Sequence, residues 1–574
     1  MTRRAATATD EATRYLASAV HLDDRLADDL IDEHISEPLR AIPPTTGLRS
    51  ELVLREALTA RVRRVVTNAV LLVLLIVLAI LAPPVAALWL ASALAWKLAA
   101  AAVTLLAWKM LGDDRGRVPR WVHWWLTYLL WGLAFLVVGI AVLGPTLLAS
   151  GGSDTGLSSD SVGVATDDAV FAAVILVQLI LFGTLLTQAL LRRLVLDNHF
   201  RFGVFDPDAT PRPAVQRACG AFTDRLRRYG EADARATSFG PAELVVYRGY
   251  DPFVGSGIHL PKWSWSITLE LYPADRSAAN GTVPEVPTFA PIALQDYVTA
   301  DLMALRQTPT LTPGWRFEDL HIAHWAVLSS DFLLHYPAAE PLRRQLLEHT
   351  NPQLSLTDWA TLADSSPEWL RYYRCFRVEG WERQLGVSGF LHVGYQQRTL
   401  YLEWQTYALP PIDPAHRAVD TIRPLLLPEL WQALCEFALL PLSVPGRIAM
   451  LWRWFRDMTG MGRGNWRTPG EAAFAFGTDR NVREAGAGTE YTHFFEATDV
   501  ERYHRIMQSR IFDAVQRFLG EKGIATGGFE SAVVQINNST HVSGGTFVGS
   551  AVGGQQHTVG VGSAVVGTPA PAHT

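Results

Sequence analysis

Lysine is nearly missing. Lys97, Lys109, Lys262 and Lys522 are four of the 50 basic residues. With abundant Ala and Arg, this matches the codon bias of a high-GC bacterial genome. Cysteine is as scarce. Cys219, Cys375 and Cys435 lie far apart without paired spacing, which excludes a disulfide framework and a zinc signature and suits a reducing compartment. There is no basic domain or arm, and the net charge of −6 is small for 574 residues. No bulk electrostatic case for a nucleic-acid partner follows. The start, MTRRAATATDEATRYLA, has no apolar core behind its arginines and does not read as a cleavable signal peptide. At the other end, Ser531 to Thr574 contains no Asp, Glu, Lys or Arg.

Apolar runs are present in strength. Residues 65–108 hold a single charge, and a membrane span needs roughly 20 apolar residues. The run is either one very long segment or two spans, about 65–83 and 85–108, turning at Pro83-Pro84. Two more apolar stretches lie at about 121–148 and 169–191. Positive charge arbitrates. Arg55, Arg61, Arg63 and Arg64 precede the first span; Lys109, Arg115, Arg117 and Arg120 lie between the second and third; Arg192, Arg193 and Arg201 follow the fourth. The loop 149–168 has no Lys or Arg. Four spans put every flanking cation on the cytoplasmic side, whereas three would split them. Trp121, Trp124, Trp125 and Tyr128 fit an interfacial aromatic belt.

Lys97 falls near the middle of the second span. A charge there costs about 2.5–3.5 kcal/mol on insertion scales and is a functional-site candidate by default. The spans offer Gln178, Gln188, Thr184 or backbone carbonyls as partners; the alternative is a side chain that snorkels to the interface. Ala91, Ala95, Ala99 and Ala102 form a small-residue stripe suited to close helix packing. So few polar residues in the spans argue against a transport pathway.

The expected architecture is therefore an α-helical four-span membrane region plus a cytoplasmic α+β domain, with a low-complexity Gly/Val-rich C-terminal tail. Its parts are a cytoplasmic helical segment at 1–64, the spans within 65–192, an α+β domain at 200–530 and an uncharged β-prone tail at 531–574. The expected location is the plasma membrane, multi-pass, with both termini cytoplasmic. Within the soluble part, Trp263, Trp265, Ile267, Leu269 and Leu271 alternate with polar residues, a period of two that predicts a half-buried strand. Further strands are predicted at 371–379, 387–394 and 399–408, and helices at 214–230, 294–306, 340–349, 417–440 and 499–520. Strands in a meander beside helices read as α+β. Residues 446–457 are basic, aromatic and amphipathic. The region 425–457 reads as a helical pair on the inner leaflet or as buried core, because Glu429, Glu436 and its prolines argue against a fifth span.

Chemistry is harder to find. Gly255-Ser256-Gly257 suggests a phosphate cradle, but it leads into a strand and Lys262 is followed by Trp263, so the P-loop pattern fails. G-x-S-x-G is absent. His321 and His324 are weak metal candidates whose i, i+3 spacing aligns only on a helix; ordinary core or surface histidines are the alternative. His259 and the HFFE stretch at 493–496 are equally unspecific. No cofactor is expected and no catalytic motif is recognisable.

The stretches TRYLASAVHLDDRLADDLI (13–31), VVYRGYDPFVGSGIHLPKWSWSITL (245–269), Leu-Pro-Pro (409–411), DVERYHRIMQSRIFDAVQRFLGEKGI (499–524) and INNSTHVSGGTF (536–547) resemble a group of uncharacterised multi-span membrane proteins of high-GC bacteria. The resemblance implies that these elements belong together and brings no activity. The tail resembles amyloid-signalling motifs through Val534, Gln535 and Ile536, followed by Asn537 and Asn538, although Asn537 stands where Gly is usual. Uncharged, β-branched windows with Asn and Gln can stack as cross-β. The other readings are a docked β-ribbon and a disordered low-complexity segment. Two functions are compatible with all this. One is a membrane-anchored signalling or scaffold protein whose tail makes a homo-oligomer or recruits a tail-bearing partner. The other is a membrane-associated enzyme acting on a lipid or cytoplasmic substrate through 243–420. The lipid bilayer is a partner in both.

Overall fold

The structure, a computed structural model, describes residues 8–111, 161–236, 242–274, 286–307, 317, 319–348, 354–381, 383–422, 426–461 and 475–542. The expected third span and the tail beyond residue 542 lie outside these. The helices, in chain order, are α1 (Ala8–Leu22), α2 (Asp24–His34), α3 (Ser50–Leu81), α4 (Pro83–Leu111), α5 (Ser161–His199), α6 (Pro213–Cys219), α7 (Thr223–Ala236), α8 (Pro291–Ala304), α9 (Ser330–His335), α10 (Glu340–Leu347), α11 (Leu356–Asp364), α12 (Leu427–Ala438), α13 (Leu440–Thr459), α14 (Val482–Ala485), α15 (Phe494–Glu521) and α16 (Gly527–Val542). The strands are β1 (Ala242–Tyr247), β2 (Ile258–His259), β3 (Trp265–Glu270), β4 (Leu320–Ser329), β5 (Leu370–Gly380), β6 (Leu385–Gln396) and β7 (Thr399–Leu409). The chain divides into two units, residues 1–58, 205–419 and 463–574 in one, and 59–204 with 420–462 in the other.

The first unit is an α+β domain built on a curled seven-stranded sheet, order β1-β4-β5-β6-β7 with β2 and β3 both on the outer edge of β7. Only β1–β4 is parallel; the other pairs are antiparallel. Side chains alternate between faces along each strand. Ile267, Phe376, Val387, Leu391, Leu402 and Trp404 therefore share one face with Leu294 and Val298 of α8 and Met507, Ile511 and Phe518 of α15. Each fully buried Leu, Val or Phe there adds about 1.5–3 kcal/mol. On the same face toward β1, Leu244, Val246, Ala326 and Leu328 pack with Leu342, Leu346 and Leu362 of α10 and α11. The opposite face carries Val245, Trp325, Tyr373, Cys375, Phe390 and Tyr407 around Phe253.

β4 is absent from the sequence expectation, in which the spacing of His321 and His324 aligns only on a helix. Nine registered partners on β5 hold it as a strand. The start of the tail is also different from its expectation. Val534, Gln535, Ile536, Asn537 and Asn538 lie within helix α16, not in an extended segment. Phe529 is buried, and Ala532, Val533 and Ile536 pack on the apolar core. Gln516 Nε2 and the Thr526 hydroxyl both donate to Glu530 at 2.8 Å. Packing of one face outweighs weak helix propensity.

In the second unit, α3 and the 172–199 part of α5 are long and apolar enough to cross a membrane. α3 stops at Leu81 and α4 starts at Pro83, where proline is tolerated in a first helical turn. Lys97 is on an exposed face of α4, as are Ala91 and Ala95, whereas Trp89 and Ala93 are buried. Among the described residues Lys97 has no hydrogen-bonding or ion-pair partner, so the pairing with Gln178, Gln188 or Thr184 is not formed. Residues 425–457 contain the expected helical pair, α12 and most of α13. α12 and α13 meet at an 89° bend. Arg193 pairs with Glu429 at 2.8 Å, and Phe437 of α12 packs edge-on to Phe182. The Trp89 indole donates to the Ala438 carbonyl at 3.3 Å. α13 then runs along α3. Arg447 donates to Asn68, to Glu436 at 2.7 Å and to Ser443 at 2.9 Å, and Asp457 pairs with Arg61 at 3.1 Å. The buried arginines are thus compensated, as burial of a charge requires.

Gly389 of β6 faces Trp404 of β7 so closely that a Cβ would lie 2.0 Å from the indole. Gly389→Ala is expected to destabilise the domain by about 1–3 kcal/mol through overpacking, read as a lower denaturation midpoint. In a Trp404→Ala background the same substitution should cost little.

Candidate functional site

A cavity of about 570 Å³ opens on the sheet face away from α8 and α15. That is within the size range of small-molecule sites. Its floor is the β1–β4–β5 surface: Glu243, then His321, Ala323 and Trp325, then Cys375, Arg377 and Glu379. The walls are the segment 44–49, the first turns of α3 with Glu51 and Arg55, and Gly230 and Asp233 of α7. The segment 44–49 is held there by the Asn481 amide, which donates to the Pro44 carbonyl at 2.9 Å, and by the Thr13 hydroxyl, which accepts the Arg49 N–H at 3.1 Å.

Most of the ionisable groups pair with one another. Arg49 contacts Asp208 at 2.6 Å, Arg55 pairs with Glu51, and Arg377 and Arg383 lie 3.6 and 3.5 Å from Glu379. Asp233 accepts the Glu51 N–H at 3.1 Å. Glu243 is different: among the described residues it has neither a hydrogen-bonding nor an ion-pair partner. It sits beside Trp325 in the register, while Arg377 is beside His321. Four residues of strand, roughly 13 Å, separate those two positions. Loss of water pushes the carboxyls of Glu243 and Asp233 up to about 7, with Arg235 opposing the shift at Glu243. Burial pushes the Cys375 thiol up to about 12, so it is not a nucleophile at neutral pH. The hydroxyl of Thr46 and the Arg377 Nε are buried without a hydrogen-bonding partner.

The strand assignment separates the two histidines proposed from sequence. His321 faces the cavity, and desolvation lowers its pKa. His324 points to the opposite face, where burial and then Arg374 lower it to about 4. Arg374 donates to its Nε2 at 3.1 Å, so Nδ1 carries the proton and donates to the Tyr372 hydroxyl oxygen at 2.8 Å. An i, i+3 pair on a strand cannot converge on one ion. Among the described residues no group of three or more His, Cys, Asp or Glu side chains could hold a metal. The Gly255-Ser256-Gly257 loop does cradle a carboxyl, but it is the chain's own, and burial pushes it up to about 7. Glu484 Oε1 accepts the Gly257 N–H at 2.7 Å and Oε2 that of Asn481 at 3.0 Å. Gly255 and Gly257 have φ of +96° and +88°, and a Cβ at Gly257 would be 2.3 Å from the Ala408 carbonyl oxygen.

A sheet-borne α+β domain with a cavity on its open face, in a chain with apolar helices long enough to span a bilayer, defines the class. More narrowly, residues 264–551, half of the chain, match the AbeC-like domain, and the chain belongs to that family. The match takes in the cavity's β4 and β5 floor, whereas Glu243 and Asp233 come from the preceding sequence. No curated protein and no solved structure matches the chain.

The carboxyl of an unfolded Glu titrates near 4, so a folded value of about 7 makes the folded state bind the proton more tightly. The destabilisation from Glu243 is then absent below about pH 4 and grows as pH rises toward 7. Glu243→Gln should melt close to wild type at pH 5 and progressively above it up to pH 8. A difference that does not change with pH contradicts the assignment.

Proposed function

We propose that this is a membrane-anchored signalling or scaffold protein. Its α+β domain receives a small polar ligand in the β1–β4–β5 cavity, and its C-terminal tail mediates homotypic assembly or recruits a partner with a similar tail. The observation that carries the reading is the cavity: a sheet face left open between ordered walls, with polar groups that lack partners. The anchor is read as four spans, with the arginines flanking α3 and α5 on the cytoplasmic side together with both termini. The α12–α13 pair fits this arrangement, because its two ends meet Arg193 and Arg61, both on the positive flanks of the spans. The membrane is the plasma membrane, multi-pass.

A second reading, an enzyme working on a lipid or soluble substrate, has one observation in its favour. Two carboxyls near neutrality in a single cavity are suited to general acid–base work. No activated nucleophile accompanies them, which favours binding over turnover.

Assembly is tested at the tail. A 525–574 peptide should form thioflavin-binding fibres, and deletion of 543–574, which leaves α16 in place, should lower the oligomeric state of the detergent-solubilised protein. A random-coil peptide together with an unchanged oligomeric state would sink the assembly half of the proposal.

A further inference from the structure

The balance of charge inside the cavity says more than its size. Every arginine on the lining has a carboxylate within ion-pair distance: Arg49 with Asp208, Arg55 with Glu51, and Arg377 and Arg383 with Glu379. The carboxylates are not so fully matched. Asp233 has only backbone and hydroxyl donors, from Glu51 and Ser50, and Glu243 has no donor among the described residues. Glu243 starts the β1 run whose Val245 and neighbours are core, and it is flanked in the register by the buried Trp325. Glu243 is half-buried, and its carboxylate is reachable from the cavity it lines. Among the described residues Arg235 is the one charge acting on it, and its carboxylate lone pairs are open to N–H donors from a ligand.

Resting on the reading of this cavity as a ligand site, we propose that it takes a small organic cation, a primary amine or guanidinium, with its charge against the Glu243 carboxylate, Asp233 lying elsewhere on the same lining. A divalent metal is the poorer match, since such ions draw on several oxygen ligands and no cluster of three or more ligating side chains occurs among the described residues. An anionic ligand would find its arginines already engaged by Glu51, Asp208 and Glu379. The indole of Trp325 beside Glu243 adds a surface that suits an alkyl-ammonium or planar guanidinium.

Isothermal titration of the full chain in detergent, with agmatine as the cationic probe and glutarate as the dianionic one, tests this. Agmatine should bind and glutarate should not. Glu243→Gln should weaken agmatine at least tenfold while keeping the thermal unfolding transition, and Asp233→Asn should weaken it less. Absence of agmatine binding, or binding unaffected by Glu243→Gln in a folded variant, overturns the proposal. Glutarate binding overturns the cationic class yet leaves the cavity as a ligand site. The tail's assembly is read from oligomeric state alone and stands or falls separately.

Discussion

Alternation of side chains across a pleated sheet is the constraint from which the rest of the domain follows. In β4 and β5 it sends Leu320, Ala326, Leu328, Tyr372, Phe376 and Val378 toward the helices and His321, Trp325, Cys375, Arg377 and Glu379 to the other side. One face is closed by α8, α10, α11 and α15. The other is walled only in part, by the segment 44–55 and by α7, and the space left between is the cavity. A one-residue slip in either strand would exchange the two sets, so the hydrophobic pattern fixes the site together with the core.

Several polar side chains inside the fold are matched with hydrogen-bonding partners. Glu484 is satisfied by the amides of a glycine loop and of Asn481, and Arg447 by Asn68, Glu436 and Ser443. Against that background Glu243 stands out as a carboxyl whose surroundings provide little besides Arg235 and an indole. A half-buried cavity carboxylate without a hydrogen-bond donor is open to a ligand's N–H groups, and a ligand cation is the partner the geometry favours.

Much of this was legible in the sequence. The period-two run at 263–271 and the strands predicted at 371–379, 387–394 and 399–408 overlap β3, β5, β6 and β7, and apolar length marked α3 and α5. In 371–379 Arg371, Arg377 and Glu379 share one face while Arg374 falls on the other, so the charges mark no single polar face, and nothing local says that a cavity lies over one of them. Nothing in the sequence singles out Glu243, because its lack of partners is a property of tertiary packing. β4 was missed because LHIAHWAVLS is nearly all apolar and has no alternation to separate strand from helix. The tail's first residues looked extended because Val and Ile have strand propensity, and the core that recruits Phe529, Val533 and Ile536 into a helix is remote in sequence.

The cavity holds two carboxyls, Glu243 and Asp233, whose proton affinity desolvation raises into the neutral range. Labelling of the native protein at pH 7 with dicyclohexylcarbodiimide, which reacts with protonated and sheltered carboxyls, followed by peptide mass spectrometry, reads this directly. Glu243 and Asp233 should be modified well above the surface carboxyl of Asp224, whose side chain is 95% exposed. Labelling of Glu243 no greater than that of Asp224 would contradict the account.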